Sequence, residues 1–285
     1  MKKPLLIFNP DSDPDRLNEI KKAVSWLATS QEFNIVESYL DKLKTPILGN
    51  ASTVDVFITE AEAIQASDGI ISLGGDGTVL YCVRALADMT GSDWFDLPVL
   101  PINFGTVGFI CPFTIEDLYS DSIYNYEISE RMLLTCNDYG AALNEISLIK
   151  NDYGIRNFRI KYNNQDVSEF RADGVILSTA TGSTAYSFSC NGPIIFPGQG
   201  NDIVSITPIA AMDASLRPII LPLGDGDGIT VSSENCRCLI DGLPRPDVHQ
   251  ITIKKYSQKL KLATPINFNY FNLLKEKLGW SRLTS

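Results

Sequence analysis

The strongest chemical signal in the chain is five consecutive residues, Gly74-Gly75-Asp76-Gly77-Thr78. They follow an apolar run, Gly69-Ile70-Ile71-Ser72-Leu73, and precede helical apolar spacing over residues 79–89. Glycines let a backbone turn sharply and approach a ligand with no Cβ in the way. The N-terminus of the following helix offers unpaired N–H groups to an anion. The placement therefore suits a phosphate-binding turn. Asp76 is the exception within it, because a carboxylate beside phosphates repels them unless it binds a metal, takes a proton or accepts a hydroxyl hydrogen bond. That points to chemistry rather than binding alone, against the plainer reading of a βα turn in which Asp76 caps the helix. The pattern is neither G-x-G-x-x-G nor a Walker A loop, which disfavours a simple dehydrogenase or P-loop kinase.

A second signal lies at Thr179-Ala180-Thr181-Gly182-Ser183-Thr184-Ala185-Tyr186-Ser187. Hydroxyls and exposed N–H groups around one glycine can hold phosphate or ribose, and Tyr186 can stack on a base. Taken alone, such a run also fits an ordinary Ser/Thr-rich turn.

The elements that must position these residues fall into two textures. Up to about residue 125, strand candidates (residues 4–8, 54–58, 69–73 and 98–102) alternate with helical spacing (17–27, 60–65 and 79–89), which predicts a parallel sheet. Beyond residue 128 the pattern becomes short strands with Gly, Pro and Asp at the turns. These strands are read at 143–149, 158–162, 175–177, 203–206, 219–221, 229–231, 237–240 and 251–254. Residues 269–278 read as helix again. The expected fold is an α/β N-terminal domain with a parallel sheet, residues 1–125 completed by 264–285, plus a β-rich, sandwich-like domain over 126–263.

Composition sets limits. The 285 residues carry 44% apolar and 20% charged side chains, the balance of a globular protein. The formal net charge of −10 argues against a general nucleic-acid binder. The apolar start Leu5-Leu6-Ile7-Phe8 stops at Asn9-Pro10, too short for a secretory segment, and no apolar run spans a bilayer. The six cysteines form no C-x-x-C, and His249 is the one histidine, so a zinc site is not expected. Reduced cysteines and a cytoplasmic location are the default.

Here a resemblance enters. Gly74 to Thr78 matches the GGDGT motif of the NAD kinase family, and the 179–187 run resembles that family's second glycine-rich motif, T-P-T-G-S-T-A-Y. Asn103-Phe104-Gly105-Thr106-Val107-Gly108-Phe109 resembles its N-x-G-x-x-G-F loop, and Leu143-Asn144-Glu145 its Asn-Glu motif. Arg171-Ala172-Asp173-Gly174 resembles the R-x-D-G run, and Lys277-Leu278-Gly279-Trp280 the common C-terminal ending. GGDGT alone also occurs in relatives among lipid kinases and phosphofructokinases. The motifs together, in family order over residues 74 to 280, are specific.

The resemblance implies transfer of the γ-phosphoryl group of ATP, accompanied by Mg²⁺, to the 2′-hydroxyl of the adenosine ribose of NAD. Asp76 would be the general base, or at least the hydrogen-bond acceptor, for that hydroxyl, and Gly74, Gly75, Gly77 and Thr78 would line the phosphate and metal region. Phe109 would pack on the dinucleotide. Asn144 and Glu145 would bind ribose hydroxyls or base edges. Asp173 would reach the nicotinamide carboxamide, with Arg171 near the phosphate or nicotinamide end. Thr181, Thr184, Ala185, Tyr186, Ser189 and Ala210 would complete the NAD pocket. A homodimer or homotetramer built through the β-rich domain is implied as well. Two departures stand out. Ala180 replaces the usual proline, so a less rigid loop is expected. The stretch Thr207-Pro208-Ile209-Ala210-Ala211-Met212-Asp213 lacks the histidine many relatives carry there. The competing functions are a lipid or sphingoid-base kinase sharing GGDGT, and a non-catalytic dinucleotide-binding regulator on the same fold.

Overall fold

The computed structural model describes residues 1–44, 54–88, 94–105, 108–120, 122–137, 139–198 and 200–280. Thr106 and Val107 of the loop motif, Met89 at the end of the expected helix, and the last five residues of the expected C-terminal segment lie outside the described residues. The chain divides into two compact units. One comprises residues 1–79, 97–129 and 262–285, the other residues 80–96 and 130–261.

The first unit is built on strands β1 (Leu5–Ile7), β2 (Phe33–Val36), β3 (Val54–Phe57), β4 (Ile70–Gly74), β5 (Val99–Asn103) and the short β6 (Phe113–Thr114). All their pairings are parallel, in the order β3-β2-β1-β4-β5-β6. β1, β2, β4 and β5 are buried along their whole length, as a sheet covered on both faces requires. The order 3-2-1-4-5 is that of a doubly wound sheet, in which ligands bind at the carboxyl ends of the strands where the order reverses. That reversal lies between β1 and β4, and Gly74 is the carboxyl end of β4.

The helices of this unit follow local rules. In α1 (Pro14–Ser30), Asp13 caps the start by accepting from the Arg16 N–H, and Pro14 occupies the first turn. Its buried stripe is Ile20, Ala23, Val24 and Leu27. A seven-residue α2 (Glu37–Leu43) follows β2. Thr59 and Glu62 form a capping box on α3 (Glu60–Gln65). α4 (Asp76–Ala87) begins inside the GGDGT turn, and α5 (Ile115–Tyr119) is capped by Thr114. β7 (Tyr126–Cys136) opens the β-rich part of the chain.

The second unit holds β8 (Ala141–Ala142), β9 (Glu145–Lys150), β10 (Arg156–Tyr162), β11 (Gln165–Ala172), β12 (Gly174–Ser178), the helix α6 (Tyr186–Ser189), β13 (Ile203–Ile209), β14 (Ile219–Pro222), β15 (Ile229–Ile240) and most of β16 (Leu243–Pro265). The pairing is antiparallel, in the order β14-β13-β12-β9-β15-β16, with the β10–β11 ribbon joined through β15. Phe158, Ile160, Val175, Leu177, Val204, Ile206, Val231 and Ile251 lie in its core. The Cys136 and Cys238 thiols also meet there, with Sγ atoms 3.9 Å apart. α7 (Tyr270–Leu278) belongs to the first unit.

The alternation read from sequence is present, but β2, β7 and β11, the short β6 and β8, and the helices α2, α5 and α6 were not among the expected elements. The expected strands 229–231 and 237–240 are one strand, β15, whose register breaks at a bulge between Ser232 and Cys236. The expected strand 251–254 is the middle of a 23-residue strand, β16.

Candidate active site

In the first unit, β4 delivers the chain to Gly74 and the turn leads at once into α4. Main chain closes it: the Thr78 N–H donates to the Gly75 carbonyl at 2.9 Å, and the Phe104 N–H to the Gly74 carbonyl at 2.8 Å. Thr78 is buried, Gly77 faces open space, and Gly75 lies 3.8 Å, measured at its absent Cβ, from the Asn103 side chain. Asn103 ends β5, and its Oδ1 accepts from the Gly105 N–H at 3.0 Å.

Asp76 departs from the simple capping reading. Its carboxylate reaches across to a segment more than thirty residues on. Oδ2 accepts from the Phe109 N–H at 2.9 Å and Oδ1 from the Ile110 N–H at 3.3 Å, and the Cys111 N–H also contributes. Gly108 is essential to this approach, because a Cβ there would fall under 3.0 Å from the Asp76 carboxylate. Burial pushes the Asp76 carboxyl above its ordinary value, opposed by these N–H groups and by the charge of Lys277. A raised carboxyl at a helix N-terminus beside phosphate-competent amides is poised to take a proton. Phe109 itself packs edge-on against Tyr270 of α7, with ring centroids 6.3 Å apart.

The second unit brings together Asn144, Glu145 and the 179–186 run. Residues 143–144 bridge β8 and β9 and are tied on one side by Thr179. Its hydroxyl donates to the Leu143 carbonyl at 2.6 Å and its N–H to the Asn144 carbonyl at 2.9 Å. The Gly182 N–H returns to the Thr179 hydroxyl at 3.0 Å. A 3-10 turn over Thr181–Thr184 leads into α6. Ser183 pegs this turn down by donating to the Ala180 carbonyl and accepting from the Ile195 N–H. Ala180 sits at φ −58°, the value proline would fix, so the fold holds this backbone without the ring.

Glu145 is buried, its Oε2 has no hydrogen-bond partner, and the Tyr186 N–H donates to its carboxylate. Burial first, and then the negative charge of Asp241, push its pKa up to about 7. Thr181 is buried, Thr184 and Ala185 are half-buried, and Tyr186 and Ser189 are exposed. Tyr186 is 37% exposed, which rules out a plain core role for its ring.

The other expected residues are spread more widely. Ala210 follows β13 with φ 47°, exposed. The Asp173 carboxylate pairs with the Lys150 ammonium at 2.6 Å, a partner that the strand pattern did not reveal. Arg171 is the penultimate residue of β11. Its side chain lines a groove of about 1070 Å³ with Arg156, Arg159, Glu169, Glu234 and His249. None of Asn144, Glu145, Asp173 or Tyr186 lines that groove. The carboxylate of Asp213, in the segment without the histidine, accepts from the N–H and hydroxyl of Ser215. Among the described residues, no group of three or more His, Cys, Asp or Glu is placed to hold a metal ion. None of their helices is long and apolar enough to cross a membrane.

The family model for the ATP-NAD kinase N-terminal domain matches residues 5–122, and that for the ATP-NAD kinase C-terminal domain matches residues 143–261. The chain belongs to the NAD kinase family. An NAD kinase of Geobacter sp. (strain M21) is 30% identical over 300 residues, covering 98% of this chain and 99% of that protein. Two solved structures share the fold. Yeast NADH kinase complexed with NADH has a TM-score of 0.83 at 22% identity, covering 100% of this chain and 90% of that one. An NAD kinase from Archaeoglobus fulgidus in complex with ATP has a TM-score of 0.69 at 23% identity, covering 97% and 98%.

Sequence reasoning missed Lys150 and Asp241, and it named Ser183 only as part of the hydroxyl-rich run. Lys150 carries no local signature. The Asp241-Gly242 pair is a turn signal, but nothing in it says where the carboxylate points.

Proposed function

We propose that this NAD kinase family member transfers the γ-phosphoryl group of ATP to the 2′-hydroxyl of the adenosine ribose of NAD, giving NADP. The observation that carries the reading is Asp76, a buried carboxylate with a raised pKa, fixed by backbone N–H groups at the N-terminus of α4 within a glycine-rich turn. A carboxylate oxygen that accepts one N–H keeps a second lone pair for a hydroxyl proton.

Phosphoryl transfer asks for alignment and charge neutralisation more than covalent chemistry. The amides of the turn and the N-terminus of α4 suit the phosphates. Asp76 orients the 2′-hydroxyl and takes its proton as the bond to phosphorus forms. The site residues of the second unit suit the dinucleotide: Asn144 and Glu145 offer polar atoms to hydroxyls, and Tyr186 offers an aromatic face. Magnesium enters with ATP as the MgATP substrate. A cytoplasmic homo-oligomer with neither membrane nor nucleic-acid partner completes the proposal.

The test is incubation with MgATP and NAD, followed by detection of NADP with an NADP-specific dehydrogenase. Parallel reactions offer a sphingoid base and a diacylglycerol in place of NAD. NADP formation with no lipid phosphorylation is expected. Lipid phosphorylation alone would favour the lipid-kinase reading, and dinucleotide binding without turnover the regulator. Because the Asp76 pKa is raised, the acid limb of kcat/KM against pH should lie above that of an ordinary aspartate.

A further inference from the structure

The β15–β16 hairpin closes on Ile240 and Leu243 and turns through two residues of positive φ, Asp241 at 46° and Gly242 at 77°. Asp-Gly is a preferred pair for such a two-residue turn. If the turn were its whole purpose, the Asp241 side chain would sit in water. Instead it folds back onto a segment almost a hundred residues earlier in the chain. Oδ2 accepts from the Leu143 N–H at 2.9 Å. Oδ1 accepts from the Asn144 N–H at 2.8 Å and the Glu145 N–H at 3.0 Å. The Asp241 N–H in turn donates to the Glu145 carbonyl at 3.0 Å.

Three consecutive N–H groups cannot converge on one carboxylate from an extended strand, where they point alternately to either side. The carboxylate therefore holds residues 143–145 in a bend that β9 alone would not adopt. Thr179 grips the Leu143 and Asn144 carbonyls from the other side, so this backbone is fixed through both its donors and its acceptors. What the clamp aims is the Glu145 side chain, whose buried Oε2 has no hydrogen-bond partner among the described residues.

We propose that Asp241 is a positioning residue for the dinucleotide: its carboxylate holds the Leu143-Asn144-Glu145 backbone so that Glu145 presents its free oxygen to a hydroxyl of NAD. This rests on the NAD kinase reading above. Asp241 touches no reacting atom and acts through the Glu145 segment. Burial pushes its carboxyl up, against the three N–H groups and the charge of Arg84.

The test is Asp241→Asn. Asn-Gly supports the same turn, so the hairpin is kept. The amide has one acceptor oxygen and points its NH₂ at an N–H, so the clamp loses at least one of its three bonds and gains an opposed donor. The expected result is a KM for NAD raised by about 10-fold or more, the scale of one hydrogen bond to a charged group. The KM for ATP should stay within about twofold and the thermal midpoint within a few degrees. Amide hydrogen exchange at residues 143–145 should accelerate by about 10-fold or more while that at residues 175–177 is unchanged. An unchanged KM for NAD overturns the proposal, as does unchanged exchange at residues 143–145. So does a parallel rise in both KM values with a large fall in the midpoint, which would mean a general structural role. The exchange measurement needs no activity. It therefore separates failure of this proposal from failure of the kinase reading, which would show as a wild-type protein that makes no NADP.

Discussion

Gly182 presses its bare Cα against the carbonyl of Asn144, so closely that a Cβ at position 182 would lie under 3.0 Å from that oxygen. The obstacle is backbone, which Thr179 and Asp241 already hold, so it has little room to give. Together with the Thr179 hydrogen bonds, this contact packs the hydroxyl-rich turn onto the Asn-Glu segment.

Gly182→Ala is therefore expected to destabilise the protein by about 1–3 kcal/mol, the scale of overpacking, and to raise the KM for NAD. Gly77→Ala is the control, because nothing lies within 4 Å of its absent Cβ. Urea unfolding of both variants checks the contrast. Equal stabilities would show that the close approach carries no energetic weight.

A Cβ at Gly108 would also fall under 3.0 Å from a neighbour, here the Asp76 side-chain carboxylate rather than backbone. Gly108→Ala should displace the carboxylate and lower kcat by about 10²–10⁴, the range of general base catalysis, with the fold retained. Asp76→Asn should fall in the same range. Its amide cannot take the proton, and its NH₂ would face the N–H donors of the 109–111 segment. Steady-state kinetics on soluble, folded variants decide. Turnover above about a tenth of wild type in Asp76→Asn would remove the general-base role.

Glu145 makes stability depend on pH. Its pKa rises from 4.5 in the unfolded chain to about 7 in the fold. The contribution of the protonated form is therefore fully present below about 4.5 and is lost as pH rises through about 7. The loss is on the order of 3 kcal/mol for a buried group. Wild-type stability relative to Glu145→Gln should accordingly decline between pH 5 and pH 8. Denaturant unfolding of both proteins at the two pH values measures it. A constant difference would mean that Glu145 titrates normally.

Tyr186 carries an exposed ring on a turn whose backbone is fixed by others. Tyr186→Ala should leave stability within about 0.5 kcal/mol, as for a surface site. It should raise the KM for NAD several-fold, since stacking contributes ~0.5–1.5 kcal/mol beyond burial. Unchanged binding of NAD by calorimetry would take Tyr186 out of the dinucleotide site.

The sequence by itself determined what is local. The buried run before Gly74, the glycine turn and α4 are contiguous, and strand, turn and helix each announce themselves through neighbours within a few residues. The helical spacing over residues 17–27 and 60–65 was legible for the same reason, whereas the Asp13-Pro14 start of α1 and the Thr59–Glu62 box of α3 were not read. The shift from alternating helix and strand to strand alone separated an α/β part from a β-rich part. Motif order then pointed to the family.

Only the tertiary structure decided which distant groups meet. β2 and β11 were not read, and β15 was read as two strands, because a bulge breaks the two-residue period. The order β3-β2-β1-β4-β5 places Gly74 beside the reversal of the sheet, and no period in the sequence encodes strand order. Asp76 could as well have capped α4, and Asp241 could have been only a turn residue. Their carboxylates instead bond amides about thirty and a hundred residues away. Arg171 and Asp173 are two positions apart, yet Arg171 lines the groove and Asp173 pairs with Lys150, with β11 ending between them at Ala172. The physical reason is common to all of these. A side chain's hydrogen-bond partner is set by packing of the whole chain, whereas composition and spacing report only the few residues around it.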